Sequence, residues 1–283
     1  MCAHAFNKEG EGMQGRISAR RAVATVLAFA LLAISVVVLC ASGGGSDKRK
    51  TRSDGSLTIN VEHVSEGYIQ ARGMATSKRL KLRVKKGEEV LTYDLNGDGE
   101  YETFPLQYGS GSYTCTLYQN TSGSRYSQEG RITVKATLED ENAPFLCPNQ
   151  YVNYASDTDL ETAAQTLCAS LTTAKEKYDT ICKYVTTQFG FDYIAAVTNK
   201  PGQLPDVEKC FSRRMGVCQD LSAVTVSMLR VAGVPAKLVI GYADENYHAW
   251  VTAEVDGEEV LFDPTAELQG ISRPRNYTVE RFY

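Results

Sequence analysis

The stretch Met215-Gly216-Val217-Cys218-Gln219-Asp220-Leu221-Ser222 turns an extended approach into a helix. From Cys218 onward, Leu221, Val224, Val226, Met228, Leu229 and Val231 supply its apolar residues. Gly233 reads as the glycine just past its end and Pro235 as the stop. Three strands are predicted next, at 236–241, 247–255 and 258–262. Asp256-Gly257 joins the last two as a two-residue hairpin. A cysteine-bearing helix followed by an antiparallel sheet predicts an α+β fold.

This order carries chemistry. The first N–H groups of a helix and the positive end of its dipole favour a thiolate. The same groups can receive the oxyanion of a tetrahedral intermediate. A thiolate nucleophile needs a base, and the base needs a third group to orient it. His248, one of three His in the chain, lies 30 residues after Cys218 on a predicted strand. Asp263 closes the next strand, 15 residues later. A hairpin turning at Asp256-Gly257 sets position 248 opposite roughly position 265, so His248 and Asp263 come together through local register alone. The expected catalytic set is Cys218 as nucleophile, His248 as base and Asp263 as orienter. The bland readings are a buried Cys218 acting as a small hydrophobe and an Asp263-Pro264 that only ends a strand. Trp250 reads as core or cleft wall, and Asp220 as a buried hydrogen-bond acceptor.

Four ordered motifs add a resemblance. Met215 to Ser222, Ala232-Gly233-Val234-Pro235-Ala236-Lys237, Tyr247-His248-Ala249-Trp250 and Phe262-Asp263-Pro264-Thr265 together resemble the transglutaminase-like superfamily. Phe191-Asp192-Tyr193 and Leu204-Pro205-Asp206 look like the lead-in of its bacterial secreted or membrane-anchored members. The resemblance covers about residues 157–283. It implies a papain-like core with a Cys–His–Asp triad at Cys218, His248 and Asp263. Two positions depart from the common pattern. Glu258-Glu259-Val260 stands where an aromatic is usual, and Val251-Thr252 follows Trp250 in place of Asn-Glu. Neither touches the triad.

Upstream, Leu160, Ala163, Ala164, Leu167 and Leu171 fall at helical spacing. Thr173 and Glu176 form a capping box ahead of a second helix carrying Ala174, Tyr178, Ile181, Cys182 and Val185. Residues 191–214 read as loop-rich, with Pro201-Gly202 and Pro205. Before Pro144 the period is two: Leu80, Leu82 and Val84 alternate with Lys81, Arg83 and Lys85, and Ile132, Val134 and Ala136 repeat the pattern. Short strands with Gly turns predict a β-sandwich of about seven strands. The expected organisation is a signal or anchor segment at 1–46, a linker at 47–56, the β-sandwich at 57–145 and the catalytic domain at 150–283.

The leader rests on Arg16, Arg20 and Arg21 ahead of an uncharged apolar run of 18 residues, Ala22 to Leu39. Cys40, followed by Ala41-Ser42-Gly43-Gly44-Gly45, looks like a lipoprotein junction, although Leu39 is large for the residue before such a Cys. The alternative is a plain anchor helix. Either way the predicted location is extracytoplasmic, membrane-anchored or secreted, with the membrane as partner through this segment.

Composition excludes other classes. With 283 residues, 43% hydrophobic, and net charge -4, the chain can build a core and has no basic field for nucleic acid. Three His and eight scattered Cys leave little for a metal site, and no cofactor is expected. Asp94-Leu95-Asn96-Gly97-Asp98-Gly99 resembles half a calcium loop, but Pro105 stands where a bidentate Glu is needed, so a hairpin turn explains it. With Cys218 free, five cysteines remain beyond the leader, and no disulfide framework is implied. The expected function is thiol-dependent acyl transfer on protein or cell-wall peptide amides through a Cys218 thioester, with hydrolysis ahead of crosslinking. The alternative is an inert surface scaffold whose β-sandwich holds a polymer or protein.

Overall fold

The computed structural model describes residues 50–199, 202–272, 274 and 276–283. The predicted leader and Cys40 lie outside the described residues. Among the described residues, no helix is long and apolar enough to cross a membrane.

Alternating apolar and polar residues build the first half of the described chain. Eight strands form it: β1 (Thr51–Asp54), β2 (Leu57–Asn60), β3 (Tyr68–Arg72), β4 (Leu80–Lys86), β5 (Glu89–Leu95), β6 (Glu102–Pro105), β7 (Gly111–Ser122) and β8 (Arg125–Ala136). They pair as two antiparallel four-stranded sheets, β1-β2-β3-β6 and β5-β4-β7-β8. Leu80, Leu82 and Val84 are buried while Lys81, Arg83 and Lys85 are half-buried, as the period of two requires. Leu57, Ile59, Ile69 and Phe104 from one sheet share a core with Leu82, Tyr93, Cys115 and Leu117 from the other. Gly130 lets the sheets meet at one edge, because a Cβ there would sit 2.2 Å from the Asp54 carbonyl oxygen. Ser56 N–H donates to Glu129 O (2.9 Å) and Arg131 N–H to Asp54 Oδ2 (2.7 Å) across the same edge.

Two expectations change here. The predicted linker at 47–56 contains β1, and the strands number eight rather than about seven. All four residues of β1 are exposed, so it has no apolar period to reveal it; pairing with β2 alone makes it a strand.

The second half is built around a central helix. Helix α1 (Asp159–Cys168) starts at Thr158, whose hydroxyl accepts from Glu161 N–H (3.3 Å). Helix α2 (Ala174–Gln188) carries the Thr173–Glu176 capping box in full. Short strands β9 (Gly190–Phe191) and β10 (Met215–Gly216) pair in parallel. Between them lie α3 (Tyr193–Thr198) and α4 (Val207–Arg213), where loop was predicted. Asp192 and Asp206 cap these two helices through Ala195 N–H (2.9 Å) and Lys209 N–H (3.1 Å).

Helix α5 (Cys218–Val231) is buried at every residue from Leu221 to Val231, and its buried polar residues Ser222, Thr225, Ser227 and Arg230 are all hydrogen-bonded. It packs on a sheet of order β13-β12-β11-β14, formed by β11 (Ala236–Ala243), β12 (Asn246–Val255), β13 (Glu258–Phe262) and β14 (Tyr277–Phe282). Strand β14 was not expected; it lies along the far edge of β11. A last helix, α6 (Pro264–Gln269), follows β13.

One buried cation ties the ends of this half together. The Arg230 guanidinium donates to the carbonyls of Ala236 (2.9 Å), Tyr283 (2.9 Å) and Cys147. Burial pushes its pKa down to about 10, which still leaves it charged at neutral pH.

Candidate active site

Local sequence positions each group. Val217, in extended conformation, is the N-cap of α5, and Cys218 is the first helical residue. The first bond of the backbone ladder runs from Leu221 N–H to Val217 O (2.9 Å). The N–H groups of Cys218, Gln219 and Asp220 therefore stand ahead of the ladder. Asp220 Oδ2 accepts from Val217 N–H (3.1 Å) and pins the turn into the helix. Asp220 thus is an acceptor, as expected, though half-buried; burial raises its pKa against that hydrogen bond.

The hairpin behaves as its turn dictates. Asp256 and Gly257 both have positive φ (54° and 88°), the two-residue turn that matches the twist of paired strands. Val255 faces Glu258 and Val251 faces Phe262. Extended three pairs further, this register would set His248 opposite Thr265. Instead β13 ends at Phe262 and Asp263 becomes the N-cap of α6. The turn brings the carboxylate back to the imidazole.

The resulting contacts are close. His248 Nε2 lies 2.9 Å from Asp263 Oδ2. The Cys218 side chain stands near enough to the His248 ring to help raise its pKa. With the Nε2 proton given to Asp263, Nδ1 is the nitrogen left to take a thiol proton. Asp263 is 1% exposed and accepts four hydrogen bonds. Its Oδ1 takes Thr265 N–H and Ala266 N–H, each at 3.0 Å, while Oδ2 takes His248 and the Tyr277 hydroxyl (3.0 Å).

Electrostatics follow from these contacts. Burial disfavours the imidazolium, but the Asp263 carboxylate and the Cys218 side chain outweigh it and push the His248 pKa up to about 9. Burial likewise favours a protonated Asp263. Its hydrogen bonds to His248, Ala266 and Tyr277 win and hold it below the ordinary carboxylate range. All three sequence-predicted site residues are thus brought together, and Cys218 is half-exposed while Cys115, Cys147, Cys168, Cys182 and Cys210 are buried.

Cys218 and His248 line a cleft of about 490 Å³, walled by β10, the start of α5, the end of α3, α4 and the sheet. Among the described residues no cluster of His, Cys, Asp and Glu could hold a metal ion. In the loop weighed as a calcium site, Asp98 Oδ1 accepts from Glu100 N–H (2.9 Å) and Glu102 Oε1 from Asn96 N–H (2.6 Å).

Residues 161–264, from α1 to the first residue of α6, match the transglutaminase-like superfamily. This part of the chain is similar to transglutaminase-like domains. A candidate cysteine protease from Cytophaga hutchinsonii aligns over 80% of this chain and 83% of its own, at 17% identity and TM-score 0.39. The periplasmic domain of TgpA from Pseudomonas aeruginosa aligns over 78% and 73%, at 15% identity and TM-score 0.36. Red sea bream transglutaminase aligns over 70% and 47%, at 13% identity and TM-score 0.30. Among curated proteins no sequence matches the chain.

The site holds one contributor that sequence reasoning missed. Tyr277, on β14, donates to Asp263 and lies against Trp250, with ring centroids 4.9 Å apart. Trp250 is 1% exposed and its ring stacks near His248 at 6.4 Å, so it is a core wall behind the imidazole. Nothing near Tyr277 in the sequence marks it out. Its place depends on the long-range pairing of β14 with β11.

Proposed function

We propose that this chain is a thiol-dependent acyl-transfer enzyme acting on peptide or side-chain amide bonds through a Cys218 thioester. The observation that carries the reading is His248, held by Asp263 and lining one cleft with Cys218, close enough for the Cys218 side chain to raise its pKa. His248 Nδ1 takes the thiol proton, and the sulfur attacks the amide carbonyl. The negative oxygen of the tetrahedral intermediate meets the N–H groups ahead of the α5 ladder. His248 returns the proton to the departing amine as the C–N bond breaks, leaving a thioester on Cys218. An acceptor then gives its proton to His248 and attacks the thioester; the C–S bond breaks and the thiol is restored. Asp263 holds the ring and stabilises its cationic form throughout.

Water is the favoured acceptor. What supports this is that Asp192, Asp206, Lys209, Arg213 and Gln219, all polar, line the cleft. We place the enzyme outside the cytoplasm, anchored or secreted, on the basic and apolar leader of the sequence. The test is turnover of a peptide-amide library, with and without added primary amine, by the wild type and Cys218→Ala. The reading expects product in the wild type only, unchanged in amount by amine, with both proteins folded. Product from a folded Cys218→Ala protein would overturn it.

A further inference from the structure

Large apolar side chains are exposed unevenly. Among the described residues eleven stand exposed, and nine of them fall between Tyr193 and Val279, on the half that holds the cleft. Leu204, Met215 and Tyr247 line the cleft itself. Met215 lies three residues before Cys218, and Tyr247 directly precedes His248. The two chain segments that deliver the candidate nucleophile and base thus each bring an exposed apolar side chain with them.

Tyr247 is also held still. By the register of β11 with β12, it pairs with Tyr242, as Ile240 pairs with Ala249. Tyr247, Ile240 and Ala249 therefore share one face of the sheet, and all three line the cleft. The Tyr242 ring meets Tyr247 edge-on at 5.5 Å, and Arg281 donates to the Tyr247 hydroxyl at 2.6 Å. Yet Tyr247 remains 55% exposed. A large ring fixed in place but left in water gains from covering, and a ligand that covers it loses no entropy to ordering it.

Helix α3 buries none of its residues, and its Ala195 lines the cleft while Ile194 and Val197 are 76% and 84% exposed. Ile194 and Val197 lie on other faces of this short helix than Ala195. The apolar strip is therefore the one inside the cleft, drawn from three separate segments at Leu204, Met215 and Tyr247. Such a strip suits an extended chain better than a small compact ligand. Asp192, Asp206 and Asp220 line the same cleft and would oppose an anionic lipid surface.

We propose that Met215, Leu204 and Tyr247 form the walls of a subsite for a bulky apolar side chain next to the scissile amide, so that the substrate is an extended, apolar peptide segment. This rests on the acyl-transfer reading above and names its substrate class. Tyr247 is a specificity-determining residue, and its hydroxyl serves only to hold the ring.

The test labels Cys218 of the full chain with peptidyl acyloxymethyl ketones, whose carboxylate leaves as the carbon–sulfur bond forms. Phe or Leu stands beside the ketone in one set, Ser or Glu in the other, and mass spectrometry reads the rate at Cys218. The apolar set is expected to react at least about tenfold faster, the discrimination a single apolar pocket supplies. Tyr247→Ala should shrink that advantage to about twofold, Tyr247→Phe should keep most of it, and iodoacetamide should label Cys218 equally in all three. Equal rates across the set, or an advantage that survives Tyr247→Ala, would overturn the proposal. Silence of every peptidyl probe while iodoacetamide still reacts would also overturn it. So would loss of the preference together with Tyr247-dependent sedimentation on neutral phosphatidylcholine vesicles, which would make the strip a membrane-facing surface. Failure of the acyl-transfer reading shows separately, as ranked labelling without turnover of any amide.

Discussion

Asp263 reaches His248 at 2.9 Å because β13 ends at Phe262, three pairs short of the register that would set His248 opposite Thr265. The carboxylate caps α6 through Thr265 and Ala266 with one oxygen and holds the imidazole with the other. A helix start and a histidine share one buried acid. Its two jobs can be separated by mutation, because only one of them requires negative charge facing an N–H.

Asp263→Asn keeps its one oxygen for the α6 N–H groups and presents an NH2 donor to His248. It removes the charge that stabilises the imidazolium and releases the ring from its tautomer. Turnover should fall on the order of 10²–10⁴-fold, while alkylation of Cys218 is largely retained. Steady-state kinetics beside iodoacetamide labelling will read both; unchanged turnover removes Asp263 from the account.

The same pair makes stability depend on pH. The His248 pKa is raised from 6.5 to about 9, so its contribution is complete below 6.5 and lost as pH rises through about 9. Asp263 is held below its ordinary 3.8, so its contribution is present above that value and lost as pH falls through the lowered one. Denaturant midpoints of the wild type should therefore decline between pH 6.5 and 9 more steeply than those of His248→Gln. Tyr277→Phe removes one donor from Asp263 and should shift the acid-unfolding midpoint upward. Parallel wild-type and His248→Gln curves would mean that the ion pair contributes nothing.

Gly216→Ala tests how tightly the nucleophile is placed. A Cβ at Gly216 would lie 2.7 Å from both Asp220 Cβ and Cys210 Sγ, closer than such atoms come. Neither neighbour is the free end of a flexible side chain, so the entry into α5 must shift. We expect at least a tenfold loss of kcat/KM, since displacement of a reacting atom by about 1 Å costs about 10²-fold, with near-normal secondary structure by circular dichroism. Full activity would show that the entry tolerates movement.

Much of the site could be read from local rules. The turn at Asp256-Gly257 sets the hairpin register without reference to the rest of the molecule, and Thr173–Glu176 announces α2 in the same way. What could not be read depends on distant partners or on a face turned outward. Strand β1 is exposed throughout and is ordered only by β2. Helix α3 has no buried residue, so the usual apolar period has no core to point at. Tyr277 joins Asp263 only because β14 pairs with β11, a contact that no spacing within residues 263–283 encodes.

The central claim is that His248 activates Cys218, and one measurement bears on it most directly. Iodoacetamide is applied to the folded full chain between pH 5 and 9, and mass spectrometry follows each cysteine in the wild type and in His248→Ala. The account predicts that at pH 6 Cys218 reacts at least about tenfold faster than an ordinary free thiol, whose pKa is about 8.5, and that His248→Ala removes this advantage. A Cys218 that reacts no faster than an ordinary thiol at pH 6, or equally fast without His248, would contradict it.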